Sequence, residues 1–325
     1  MKGQLTVISF LFVLLFAACE KEEKPYVLPP PGSSIVQQVS MGSDYSKVIF
    51  YDLNTETYTV EELGFWDLAL ESSESGFRAL INGGTGAQIA AMGDTSFKEI
   101  YNVDQADWRW DPPSFNSDSS AIGAWADSAF LLSREVYLID RSINNKGEQY
   151  KKLQLIEVTK SHYLIRTANL DGSNDQVIRV EKDPATSFVH VHLDNGALAK
   201  YEPGKEKWDF MFTRYRYVYY DMTPIIPYEV NGVVLNPNGV LAADTRMNYD
   251  SVDLEQAMKL DFTSRRDFIG FDWKYYDFDK EAYITDIKRI IVIRSHTGFY
   301  YKLRFIDFYD ADGVKGAPTF EFQRL

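Results

Sequence analysis

The chain has 325 residues, a formal net charge of −13, a pI near 4.9 and a single cysteine. An acidic surface of this size argues against nucleic acid or an anionic lipid face as partner. One cysteine excludes an internal disulfide, so stability must come from the core.

Met1-Lys2, the apolar run Val7 to Phe16 and then Ala17-Ala18-Cys19 have the order of a secretory signal: a positive start, a short apolar stretch and small residues before a cut. The apolar run is too short to span a bilayer. The boundary resembles the bacterial lipobox, which implies a signal peptide over 1–18 and lipidation of Cys19. Glu20-Lys21-Glu22-Glu23-Lys24 resembles the surface-export tag of Bacteroidetes lipoproteins, which implies the outer face of an outer membrane. Its alternative is a solvated charged tether. Pro29-Pro30-Pro31-Gly32 closes a tether over 19–34. Loss of residues 1–18, with one Lys and no acid, takes the charge from −13 to −14.

Beyond the tether the pattern is strand and hairpin. Lys47 to Asn54 alternates and turns before Trp66-Asp67, and Ser187 to Gly196 does the same before Trp208-Asp209, an offset of 142 between the tryptophans. Val136 to Arg141 followed by Tyr150 to Glu157 is answered by Ile291 to Arg294 followed by Tyr300 to Asp307. Three blocks in one order at nearly one offset predict two tandem β-rich units, 35–183 and 184–325. Hairpins are expected around Thr159–His162 and Asp310–Gly313, and short helices at Ala121–Ser133 and Val252–Leu260. The 15% aromatic content suits half-buried sheets, and the fold class is all-β, of antiparallel sheets with few short helices.

The order of strand, Trp-Asp, Gly-rich middle, Arg-ending strand and Tyr301-Lys302-Leu303-Arg304-Phe305-Ile306-Asp307 hairpin resembles the HmuY family of Bacteroidetes heme-binding surface lipoproteins. The second unit matches best, through Trp208 to Tyr215 and Tyr301 to Tyr309. The resemblance implies an all-β fold, heme as ligand and delivery to a TonB-dependent receptor. Family members ligate iron through two histidines of the middle loops. Here His162, His190, His192 and His296 all lie outside the middle segments 67–135 and 210–289, so that pair does not carry over. Methionine-using relatives turn attention to Met222, Met247 and Met258 in the second unit and Met92 in the first, although a methionine in such a place is more often core filling than a ligand.

His190 and His192 share one face of a strand, as a metal pair or as a solvated face; without a third ligand in register the solvated face is preferred and no metal site is assigned. Arg214 to Tyr220 places Tyr215, Tyr217 and Tyr219 on one side and Arg214 and Arg216 on the other. Tyr215, Tyr217 and Arg216 are pocket candidates for a porphyrin or sugar, against a plain aromatic strand. Asn82-Gly83-Gly84-Thr85-Gly86 lacks the Lys-Ser/Thr of a phosphate loop and is a turn. No nucleophile elbow or zinc-hydrolase motif occurs, so the chain is taken as a binding protein and not an enzyme. The alternative function is a non-heme surface module for a glycan or protein; a hydrolase with paired carboxylates ranks last.

Overall fold

The structure is a computed structural model that describes residues 31–142, 147–198 and 200–325. The signal sequence, Cys19 and most of the tether lie outside the described residues. The end of the tether runs beside the C-terminal strand: Gly32 N donates to Arg324 O at 3.0 Å, and Gln323 Nε2 donates back to Gly32 O.

In chain order, β1 (Ile35–Gln38) is followed by the hairpin β2 (Lys47–Asp52) and β3 (Thr57–Glu62), then by the first Trp-Asp and β4 (Leu68–Glu71), β5 (Ala79–Ile81) and β6 (Gln88–Ala91). After the middle loop come β7 (Tyr137–Asp140), β8 (Tyr150–Val158), β9 (His162–Asn169) and β10 (Gln176–Glu181). A second hairpin, β11 (Phe188–His192) and β12 (Gly196–Leu198), precedes the second Trp-Asp, with β13 (Phe210–Tyr219), β14 (Ile226–Leu235) and β15 (Leu241–Thr245) after it. The chain closes with β16 (Lys274–Asp277), β17 (Ala282–Thr285), β18 (Ile290–Arg294), β19 (Tyr300–Tyr309) and β20 (Lys315–Arg324).

The all-β expectation holds. Alternation sets the faces: Leu153 and Leu155 on β8, or Leu303 and Phe305 on β19, are buried inward. Five-stranded sheets β10-β9-β8-β7-β6 and β1-β20-β19-β18-β15 form two outer layers. Each packs on a four-stranded sheet, β12-β11-β4-β5 for the first and β14-β13-β2-β3 for the second. The opposite faces of the four-stranded sheets contribute Phe50, Met211, Ala69 and His190 to one shared interior.

The pairing crosses the middle of the chain in both directions. β2, ahead of the first Trp-Asp, pairs with β13 (Phe210↔Tyr51, Phe212↔Ile49), while β11, ahead of the second, pairs with β4 (Leu68↔Val191, Leu70↔Val189). The predicted division at 183/184 is therefore not a division between sheets: each half lends its hairpin to the other. Each Trp-Asp aspartate ties in the borrowed strand. Asp67 N donates to Val191 O and its Oδ2 accepts from Leu193 N at 2.7 Å; Asp209 N donates to Tyr51 O and its Oδ2 accepts from Leu53 N at 2.9 Å.

The helix expected at Ala121–Ser133 is absent. Asp127 Oδ1 accepts from Ala129 N and Leu131 N, a side-chain turn that competes with helix, and Phe130 takes a φ of 61°. The second expected helix is one turn, Leu254–Ala257, capped by Asp253 Oδ1 on Gln256 N.

Candidate functional site

Two polar regions and one aromatic cleft compete as sites. The interior shared by the four-stranded sheets holds His190, with its ring 4.8 Å from Trp66 and 4.5 Å from Tyr201. Burial, reinforced by Arg266, pushes His190 down to about 3, so the ring is neutral there. Glu202 accepts from Ser187 N and Phe188 N, and burial raises it to about 7; burial also lowers Arg266 to about 10. The space they enclose is about 50 Å³, room for water and far too small for a porphyrin.

His190 and His192 are each only 7% exposed, which corrects the solvated face expected of them. The reason is tertiary: the strand that carries them is covered on both sides, by the outer sheet and by the opposing four-stranded sheet. His192 Nδ1 accepts from Asp194 N, and its Nε2 lies 3.4 Å from Arg141 Nη2, so both ring nitrogens are engaged. A polar groove of about 1070 Å³ passes this cluster, lined by Asp44, Glu62, Phe65, Thr85, His192 and Arg214.

The aromatic cleft lies between the middle loop of the first half and the tip of the β13–β14 hairpin. Its volume is about 790 Å³, with Trp108, Arg109, Trp110, Ile122 and Glu135 on the loop side and Tyr220 and Ile225 on the hairpin side. Its volume is that of an ordinary small-molecule pocket, but Arg109, Ser119, Ser120, Ser133 and Glu135 make its lining mixed rather than apolar. Each wall is braced. Arg109 and Ile89 exchange backbone hydrogen bonds of 2.9 Å, which ties the loop to β6. Trp108 Nε1 donates to Val103 O, and the Arg216 guanidinium sits 5.6 Å from the Trp110 ring centroid while donating to Gly86 O. Tyr220 and Ile225 are 66% and 51% exposed, so the hairpin wall is open to solvent.

Arg216 backs the cleft through Trp110. Tyr215 is 2% exposed and packs edge-on against Phe115, and Tyr217 packs against Phe271 and Tyr219, so neither tyrosine lines the cleft. Met222 is exposed on the hairpin tip between the lining residues Tyr220 and Ile225, and Met92 follows the lining residue Ala91. Met247, just past β15, and Met258, at the end of the helical turn, are exposed and line no part of the cleft. Trp108 and Trp110 were missed. Their signal was the Asp107-Trp108-Arg109-Trp110-Asp111 run, whose two tryptophans alternate with an arginine.

Comparison with known sequences decides the family. The HmuY protein family matches residues 44–322. This chain belongs to the HmuY family. The resemblance drawn from the Trp-Asp and Tyr-Lys-Leu segments thus holds over most of the HmuY chain described here. Among solved structures it is similar to apo PinO of Porphyromonas gingivitis, at 11% identity and a TM-score of 0.31, covering 90% of this chain and 97% of that one. It is also similar to an apo HmuY analog of Tannerella forsythia, at 9% identity and a TM-score of 0.25, covering 91% and 98%. At these scores the family assignment rests on the sequence match. Comparison with curated proteins finds no match. Among the described residues of this HmuY-family chain, no helix is long and apolar enough to cross a membrane.

Proposed function

We propose that this chain is a lipid-anchored surface protein that binds heme or a related iron compound in the aromatic cleft and passes it to a TonB-dependent outer-membrane receptor. Membership in the HmuY family supports the ligand class. The observation that carries it to this chain is the cleft itself, whose volume and aromatic walls suit a flat apolar ring. Trp108, Trp110 and Tyr220 of its lining would supply stacking surface and Arg109 a cation for a carboxylate, while Met222, exposed on the hairpin tip next to the lining and not part of it, would have to turn inward to offer a thioether to the metal. Cys19 and the acidic tether would hold the binding unit at the outer face. The heme would arrive and leave as cargo, and the chain's work would be binding and release without covalent chemistry.

One observation favours a second reading, a non-heme module for a glycan or protein: no histidine lines the cleft, and paired tryptophans on an open face also suit a sugar ring. An absorbance titration of the full chain with hemin, oxidised and then reduced, separates the two. Heme binding predicts a saturable shifted Soret band at one equivalent that weakens at least about tenfold in Trp110→Ala and changes its reduced spectrum in Met222→Ala. An unshifted band throughout would remove heme and leave the recognition module.

A further inference from the structure

The two Trp-Asp aspartates share a backbone setting but differ in what neutralises them. In the first half, Asp67 is gripped by Arg141, Nε to Oδ1 at 2.8 Å and Nη2 to Oδ2 at 3.0 Å. Arg141 Nη1 also reaches Asp194 at 2.8 Å, and Lys151 Nζ reaches it at 2.6 Å. Two carboxylates therefore meet two cations. The two pairs balance in charge.

The second half keeps the aspartate and loses both cations. Arg141 N donates to Gln149 O just after β7, and Ser295 N donates to Phe299 O just after β18, so Ser295 stands in the place of Arg141. Lys151 pairs with Ile139 and Tyr301 pairs with Ile293, so a tyrosine stands in the place of the lysine. His192 follows Val191, the partner of Leu68, while Asp52 follows Tyr51, the partner of Phe210, so a histidine is matched by a second acid. What remains is Asp209, 0% exposed, Asp52, 6% exposed, and His296, whose Nδ1 lies 2.8 Å from Asp209 Oδ1. No lysine or arginine ion pair reaches either carboxylate among the described residues.

One ligand atom from each of Asp52, Asp209 and His296 lies within 4.8 Å of the other two. The His296 imidazole paired with Asp209 can balance at most one of the two buried carboxylates, whereas a dication held by all three would balance both. Imidazole nitrogen with two carboxylate oxygens is a donor set for a cation such as Zn²⁺, which completes four-coordination with water. The ligands are oriented from behind: Leu53 N and His296 N donate to Asp209, and Asn54 N and Thr55 N to Asp52 Oδ1. We propose that Asp52, Asp209 and His296 form a site for a divalent transition cation, in the position that the Arg141 guanidinium occupies in the other half. The sequence hides it because the ligands stand at 52, 209 and 296 and meet only through the crossed pairing of β2 with β13.

The test uses ZnCl2 on the EDTA-treated full chain at neutral pH, read by calorimetry and by thermal melting, with Co²⁺ as a visible-absorption probe. The expected result is one Zn²⁺ per chain, a raised melting temperature and Co²⁺ bands in the visible. Asp52→Asn, which keeps an oxygen for Asn54 N and Thr55 N, weakens binding more than roughly tenfold, and so does His296→Asn. His162→Asn, which removes the largely buried β9 histidine paired with Glu157, leaves binding unchanged. No uptake, or uptake that survives in both Asp52→Asn and His296→Asn, would overturn the site. Hemin is absent from these measurements, so their outcome is separate from that of the cleft.

Discussion

Arg141 has no solvent-accessible side chain, yet it is fully charged because Asp67 and Asp194 surround it. Burial alone lowers a guanidinium's pKa, and here the two carboxylates outweigh that, so the pKa is raised. Such a pair is worth little against an apolar substitute but costs much to break, because one partner is left charged and unpaired. Arg141→Met should therefore destabilise the chain by about 3–5 kcal/mol, and Asp67→Asn in the same background should recover part of the loss. Urea midpoints of the single and double variants check this; an additive double variant would refute the coupling. The same residue-scale logic explains the histidines. His190 and His192 have the spacing of a strand face, and only the neighbours packed over that face make it an interior one.

At the scale of elements, hairpins were legible and their far neighbours were not. β8–β9 and β19–β20 form where alternation and turn residues predicted them, because a hairpin is closed by residues a few positions apart. The loop after β15 was opaque: it returns so that Gly270 bridges Val233 on β14, with hydrogen bonds of 2.9 and 3.2 Å. Gly232 permits this approach. A Cβ there would stand 2.6 Å from Gly270 O and 3.0 Å from Phe271 N, both backbone atoms that cannot turn aside. Gly232→Ala should cost about 1–3 kcal/mol and strip hydrogen-exchange protection from the amides of Val233 and Gly270 while sparing β8 and β9. Uniform loss of protection would instead mean that the bridge is not a local feature.

At the scale of the whole molecule, the exchanged hairpins make the halves interdependent. A chain cut at 183 would leave β4 without β11, and β2 without β13. Ile49 and Tyr51, whose core partners Phe210, Phe212, Phe320 and Phe322 lie beyond the cut, would then be open to water, and the core around Leu68 and Leu70 would lose Val191 and Leu193. Residues 35–183 expressed alone should lack near-ultraviolet circular dichroism and a cooperative melt, whereas the full chain should unfold in one transition. A folded, cooperatively melting 35–183 fragment would show that the halves are independent after all. The crossed pairing also makes the proposed cation site possible, since Asp52 meets Asp209 only through it.

By itself the sequence determined what depends on near neighbours and on residue type: the β class, most hairpins, the recurrence of Trp-Asp, the family and the acidic net charge. Period-two alternation and turn chemistry are local physics, and a family match accumulates over many short segments. The tertiary structure decided which half each hairpin serves, that His190 and His192 are buried, and that Tyr215 packs inward while Trp108 and Trp110 wall a cleft. It also decided that Asp52, Asp209 and His296 converge. These outcomes depend on which of several similar apolar strands pair. Strands of similar pattern in the two halves can pair within or across them at similar local energy, so only the packing of the complete chain distinguishes them.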